Sequence, residues 1–151
     1  MPFLALSRRT LLLAGGTLGV LAACDDGQPT RRPGDAALAR AVADEDTLLR
    51  LYDAAIAAPL PGVPLAVIVA IRDDHRAHRL ALLAAAAPAS PLPTATPDAA
   101  PPSVHGLVGA ERAAADRRTT AARRVVRPLA PLLASIAASE AAHGELLRLV
   151  L

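Results

Sequence analysis

Glutamate and histidine interrupt the apolar stripe of a predicted helix near the C-terminus. At the alternating three- and four-residue spacing of a packed helix, this stripe runs Leu129, Leu133, Ile136, Glu140, His143, Leu147, Val150. Glu140 and His143 therefore stand where a helix of a bundle normally carries leucine. Their i, i+3 spacing places both side chains on adjacent turns of one face, from which they can reach a single ion.

Ligand-type residues recur on the apolar stripes of the other three predicted helices. These stripes are Glu45, Leu49, Tyr52, Ile56 in the first helix, Ile68, Ile71, His75, His78, Leu82 in the second and Leu107, Val108, Glu111 in the third. Each helix thus contributes at least one carboxylate or imidazole to the predicted interior.

Buried carboxylates and imidazoles need partners, because leaving such a group unpaired in a protein interior costs several kcal/mol. A cation is the simplest common partner, and this combination of groups suits iron, manganese or zinc. The predicted metal ligands are Glu45, His75, His78, Glu111, Glu140 and His143. Two other interpretations remain open. One is a metal-free bundle with a buried Glu–His network and no cofactor, and the other is a helix register in which these side chains do not meet.

Four segments rich in alanine and leucine supply the helices that would position these groups. They span about 36–58, 63–87, 104–126 and 128–151. Pro64 and Pro128 suit the first turns of the second and fourth helices, where a missing N–H costs nothing. No segment shows the pattern of a strand, so the prediction is an all-α four-helix bundle.

A proline-rich segment, 88–103, separates the second and third predicted helices. It holds six prolines in sixteen residues and is predicted to be neither helix nor strand. Extended as polyproline II at ~3.1 Å per residue it spans roughly 50 Å, whereas a helix of about 24 residues is only about 36 Å long. A crossover of bundle length at this position is the ferritin-like connection. The alternative is a proline-rich insertion in an up-down-up-down bundle.

The N-terminus carries two export motifs. Arg8 and Arg9, preceded by Ser7, resemble the twin-arginine signal, and the apolar stretch that follows is too short to span a membrane permanently. Residues 21–24, Leu-Ala-Ala-Cys, resemble a bacterial lipobox, which implies cleavage before Cys24 and lipidation of its thiol.

These motifs predict a signal peptide over 1–23, a tether over 24–35 and the bundle over 36–151. The expected location is the extracytoplasmic face of the cell membrane, held by the lipid on Cys24. The alternative is an ordinary N-terminal membrane anchor with a free cysteine.

Composition excludes several function classes for the predicted mature chain. Without Arg8 and Arg9 it has 14 arginines, no lysine and 14 acidic residues, so no net charge attracts nucleic acid. Cys24 is the only cysteine, and neither a nucleophile elbow nor a phosphate-binding glycine loop is present. Hydrolase and kinase functions are therefore not supported. Protein partners and oligomeric state, including a homo-oligomer, stay open.

The pattern resembles the ferritin-like superfamily, whose two-iron members carry Glu, Glu-x-x-His, Glu, Glu-x-x-His on four successive helices. It is most similar to the ferritin-like domains of unknown function in actinobacterial exported lipoproteins, through Leu133-Ala134-Ser135-Ile136-Ala137-Ala138-Ser139-Glu140-Ala141-Ala142-His143. The resemblance implies ligands at Glu45, Glu111, Glu140 and His143.

The second helix departs from the family pattern. It has His75-Arg76-Ala77-His78 in place of Glu-x-x-His, and Asp74, four residues before His78, is a carboxylate that could substitute. Fewer carboxylates weaken the case for two-iron oxygen chemistry and leave a single metal ion as an alternative.

Two classes of function follow from the sequence. One is an extracytoplasmic metal-binding or oxidoreductase-like protein. The other is a non-catalytic lipoprotein whose bundle mediates interactions. His105 is predicted to be a surface or capping residue. The arginines of the third helix, predicted to form a solvated face, are Arg117, Arg118, Arg123 and Arg124.

Overall fold

The computed structural model describes residues 33–86, 102–125 and 128–150, which contain four helices and no strand. The helices are α1 (Pro33–Ala57), α2 (Leu65–Ala85), α3 (Val104–Arg124) and α4 (Leu129–Arg148). The predicted all-α four-helix bundle is confirmed, and each helix ends within three residues of its predicted position.

Several predicted features lie outside the described residues. These are Arg8, Arg9, Cys24, the signal peptide and all but the last two residues of the proline-rich segment. None of the helices in the described ranges is long and apolar enough to cross a membrane.

Local sequence fixes where the helices begin. Ser103 caps α3, its hydroxyl accepting a hydrogen bond from the Gly106 N–H at 3.0 Å. Pro64 and Pro128 stand at the N-caps of α2 and α4. Gly62, in the turn between α1 and α2, has a φ of 80°, a conformation that a side chain would strain.

Ion pairs along the contact between α1 and α2 establish that these helices are antiparallel. Asp46 pairs with Arg79, and farther along α1 Asp53 pairs with Arg72. As the residue number rises on α1, it falls on α2.

The contact between α1 and α3 is also antiparallel. The Tyr52 hydroxyl bonds to Glu111, while the carbonyl oxygen of Ala41 accepts a bond from Arg118. Because α2 and α3 are each antiparallel to α1, they run in the same direction. Helix α4 packs on both α3 and α2 and completes the bundle.

The apolar core consists of two separate clusters. One contains the buried side chains of Leu48, Tyr52, Ala55, Val63, Ile68, Ile71, Leu107, Val108, Ala114 and Leu147. The other contains Leu38, Ala41, Val42, Leu82, Leu133 and Ile136. On α1, α2 and α4 the predicted ligand residues lie between the positions that belong to these clusters. The clusters therefore close the polar layer of the bundle at both ends.

The predicted apolar stripes are confirmed on α2 and α3 and along the middle of α4, whose end residues Leu129 and Val150 are partly buried, but were partly wrong on α1. Leu48 and Ala55 are buried there, whereas the predicted Leu49 and Ile56 are only partly buried. Helix α1 packs against both α2 and α3. Its buried face is therefore wider than the predicted apolar stripe and includes positions on either side of it.

Candidate metal centre

The polar layer gathers the six residues predicted as metal ligands. Glu45, His75, Glu111 and Glu140 are fully buried, His143 is 7% exposed and His78 is partly buried. The chain has only four glutamates and four histidines, and three of each lie in this layer. The fourth glutamate, Glu145, and the fourth histidine, His105, are exposed. They provide matched controls for substitutions in the layer.

His75 bridges two carboxylates at the centre of the layer. Its Nδ1 lies 2.8 Å from Glu45 Oε2 and its Nε2 lies 2.9 Å from Glu111 Oε1. Ionised carboxylates only accept hydrogen bonds, so both ring nitrogens must donate and the ring is an imidazolium. Burial alone would lower the pKa of His75, but the bonds to Glu111 and Glu45 outweigh it and raise the pKa to about 9.

Glu111 accepts hydrogen bonds from two side chains of the layer, His75 and Tyr52. Its Oε1 also accepts a hydrogen bond of 2.5 Å from the Tyr52 hydroxyl, while its Oε2, equally buried, has no hydrogen-bond partner among the described residues. Burial would raise the pKa of Glu111, but the neighbouring His143 and the bonds from His75 and Tyr52 lower it to about 2. Burial, with the Glu111 charge beside it, raises the pKa of Tyr52, which therefore remains a donor. Tyr52 was predicted only as part of the apolar stripe of α1, and its hydrogen bond to Glu111 was not predicted.

Asp74 orients the ring of His143. Its Oδ2 lies 3.2 Å from His143 Nε2, and the other ring nitrogen, Nδ1, lies 3.7 Å from Glu111 Oε1 and has no hydrogen-bond partner among the described residues. A carboxylate on Nε2 favours the tautomer that leaves Nδ1 free as a ligand atom. Asp74, although its side chain is 62% exposed, thus contacts a histidine of α4.

Arg118 is buried, although it was predicted to lie on a solvated face. It is 1% exposed, and its guanidinium lies 2.7 Å from Glu45 Oε1, 3.1 Å from Asp44 Oδ2 and 3.2 Å from Glu140 Oε1. Arg118 follows Glu111 by seven residues, two helical turns, and therefore occupies the same buried face of α3. Continuing the stripe beyond Glu111 would have found it.

The other surface predictions for α3 are confirmed. Arg117, Arg123, Arg124 and His105 are exposed. Arg117 pairs with Asp44 of α1 at 3.0 Å.

Glu140 faces Arg118 and does not share a site with His143. Although Glu140 Oε1 is 3.2 Å from Arg118 Nε, the N–H direction does not make a hydrogen bond, and neither oxygen of Glu140 has a partner within the described ranges. Burial raises the pKa of Glu140 to about 8 despite the Arg118 charge. At neutral pH this carboxyl therefore carries its proton.

His78 completes the layer from the side of Glu45. Its Nδ1 lies 3.8 Å from Glu45 Oε1 and is buried without a hydrogen-bond partner among the described residues. Burial lowers the pKa of His78, so the ring is neutral. The rings of His75, His78 and His143 have centroids 5.3–6.2 Å apart.

Two overlapping groups of side chains have the spacing of metal ligands. One is Glu45, His75 and His78, and the other is His75, Glu111 and His143. In each group the three ligand atoms lie within 4.8 Å of one another. His75 belongs to both groups. Five of the six predicted ligand residues therefore take part in one group or the other, and Glu140 in neither.

No protein-family model, curated protein or solved structure matches this chain. The residues of the centre are therefore the basis for the proposed function.

Proposed function

We propose that this chain is a lipid-anchored extracytoplasmic protein whose ferritin-like bundle binds a divalent metal ion through His75, Glu111 and His143. The observation that carries this proposal is the convergence of three buried ligand atoms within 4.8 Å. His143 Nδ1 and Glu111 Oε2 are buried without hydrogen-bond partners in the described part of the chain. A bound cation would satisfy both atoms.

The donor set fits iron, manganese or zinc. Two imidazoles and one carboxylate leave coordination positions open for water or a small ligand, and a bound ion would supply Lewis-acid or, for iron and manganese, redox chemistry. The protein itself would orient the ligand side chains and shield them from solvent. Tyr52 donates to Glu111, Asp74 holds His143, and the two apolar clusters close the layer at its ends.

The ferritin-like assignment is supported by the helix directions. Because α2 and α3 run in the same direction, the connection from Ala86 to Ser103 has to return along the length of the bundle. A proline-rich segment that is long enough for this return joins these helices. We therefore favour the ferritin-like crossover over an up-down-up-down bundle.

The proposed anchor predicts that Cys24→Ser abolishes lipid attachment and the cleavage before residue 24. Wild-type protein should fractionate with membranes and carry a diacylglycerol mass on an N-terminal peptide that begins at Cys24. The variant should lack this lipid and the cleavage that depends on it, because the lipid forms a thioether with the cysteine thiol. Thr30→Ser, a change within the predicted tether, is the control and should leave both lipid and membrane attachment intact. Intact unlipidated Cys24 in membrane-bound wild-type protein would favour an ordinary N-terminal anchor.

A metal-free interaction module is the alternative function, and the charge of His75 favours it. The His75 imidazolium and the Arg118 guanidinium already balance the charges of Glu45 and Glu111 when Glu140 is protonated. In this case the layer would be a closed hydrogen-bonded network that specifies the packing of the bundle.

Metal analysis decides between the two functions. Residues 31–151 form one compact unit, so a chain starting at residue 25 contains the whole bundle. We expect this chain to hold at least one equivalent of Fe, Mn or Zn, measured by mass spectrometry, and His143→Ala to lose it. His105→Ala, which replaces an exposed histidine, should retain the metal. Wild-type protein without stoichiometric metal, and without a rise in melting temperature on metal addition, would establish the metal-free network instead.

A further inference from the structure

We propose that Arg118 occupies the place of a second cation, so that the centre takes one metal ion, at His75, Glu111 and His143, and not two. This inference rests on the proposed metal-binding function. It assigns to a buried arginine the charge that a second ion would otherwise supply.

The layer has two levels, and both α1 and α3 contribute to each of them. On α3 these residues are Glu111 and Arg118, seven positions apart, and on α1 they are Tyr52 and Glu45, also seven apart. Seven residues are about two helical turns, or roughly 10 Å along the axis. One level contains Tyr52 with Glu111, and the other contains Glu45 with Arg118.

The guanidinium fills the second level. Arg118 contacts Glu45, Glu140, Asp44 and the carbonyl oxygen of Ala41. An ion held by Glu45 and His78 would have to share Glu45 with this guanidinium, which lies 2.7 Å away and cannot lose its charge. Repulsion between two buried cations so close together opposes the second ion.

No such obstacle exists at the first level. None of the ion pairs between described residues joins Arg118 to Glu111 or His143. The charge balance agrees, since one dication and one guanidinium carry three positive charges, the most that the carboxylates of Glu45, Glu111 and Glu140 can balance even after Glu140 gives up the proton that it holds in the metal-free protein. A second dication would leave two uncompensated positive charges in the interior.

Orientation of the histidines also selects the first level. His75 Nδ1 is held by Glu45 at 2.8 Å and His143 Nε2 by Asp74 at 3.2 Å, so in each ring the opposite nitrogen faces Glu111. A histidine that binds a metal ion typically donates a hydrogen bond from its other ring nitrogen to a carboxylate. His78 donates no hydrogen bond to a carboxylate among the described contacts, and its Nδ1 lies 3.8 Å from Glu45.

The test compares His78→Ala with His143→Ala in the purified full-length chain titrated with Mn²⁺ and Zn²⁺. We expect one ion per chain in wild type, tenfold or greater loss of affinity in His143→Ala, and binding within about threefold of wild type in His78→Ala. Two ions per wild-type chain, or an ion that depends on His78 and not on His143, would overturn the inference while leaving metal binding intact. A wild-type chain that binds no metal would overturn the proposed function itself.

Arg118 variants test the role of the guanidinium directly. Arg118→Lys keeps a positive charge and should still bind one ion, whereas Arg118→Met removes the charge and should bind two. A folded Arg118→Met protein that binds only one ion contradicts the inference. If this variant does not fold, the comparison of His78 with His143 still decides where the ion lies.

Discussion

Replacing Glu111 by glutamine is expected to lower the free energy of unfolding of the metal-free protein by about 3 kcal/mol. Glutamine keeps the shape of the side chain and an oxygen that accepts from Tyr52, so the change removes mainly the negative charge beside His75. Hydrogen bonds to charged partners contribute about 1.5–3 kcal/mol each, and breaking a buried ion pair costs about 3–5 kcal/mol. Because His75 can lose its proton, the loss should fall toward the lower end of the ion-pair range.

Denaturant unfolding in a chelating buffer measures this loss, and NMR titration of the imidazole reports its cause. The pKa of His75, about 9 in the wild type, should fall toward its ordinary value of 6.5 once one of its two carboxylates is neutral. Glu145→Gln is the matched control, because Glu145 is exposed and paired only with Arg112 and Arg148 among the described residues. It should leave stability nearly unchanged, because exposed ion pairs contribute little. A stable Glu111→Gln protein with an unchanged His75 pKa would show that the central ion pairs do not form.

The fold followed from the sequence because its determinants are local. Proline and glycine mark the helix ends, and the apolar stripes of α2 and α4 alternate regularly enough to identify their buried faces. The stripes of α2, α3 and α4 identified His75, Glu111 and His143, since a polar residue at an apolar position of a regular stripe is visible in the sequence alone.

The pairing of these side chains could not be predicted in the same way. The stripe of α3, continued two turns past Glu111, identifies Arg118 as buried, but only the contacts with α1 and α4 show which carboxylates it pairs with. Glu140 faces Arg118 and does not join the group that contains His143, and this arrangement also depends on the contact between α3 and α4. Arginine can be buried when carboxylates from other helices surround it, and the sequence of one helix does not identify those carboxylates.

The pH dependence of stability provides the second large expected effect. Glu140 has a folded pKa of about 8, far above the ordinary 4.5, so the unfolded chain releases its proton first and stability falls as pH rises from 4.5 to 8. His75 has a raised folded pKa of about 9, so its contribution is complete below 6.5 and is lost as pH rises to 9. On the acid side, the lowered pKa values of Glu111 and Glu45 give stability that is lost as pH falls below 4.5. We expect metal-free protein to be most stable near pH ~5.

Glu140→Gln isolates one of these groups, because between pH 4.5 and 6.5 Glu140 is the group whose proton differs most between the folded and unfolded chains. Between roughly pH 5 and 6.5 wild type should lose up to about 2 kcal/mol relative to the variant, at ~1.4 kcal/mol per pH unit. The lowered pKa of His78 adds stability to both proteins equally as pH rises toward 6.5, so it cancels in this difference. Above about pH 6.5 both proteins should lose stability through His75, the variant with about half the slope. Glu145→Gln should follow the wild-type curve throughout. Parallel curves for wild type and Glu140→Gln would mean that Arg118 keeps Glu140 ionised, in which case the metal-free layer carries an unbalanced negative charge and the case for a bound cation becomes stronger.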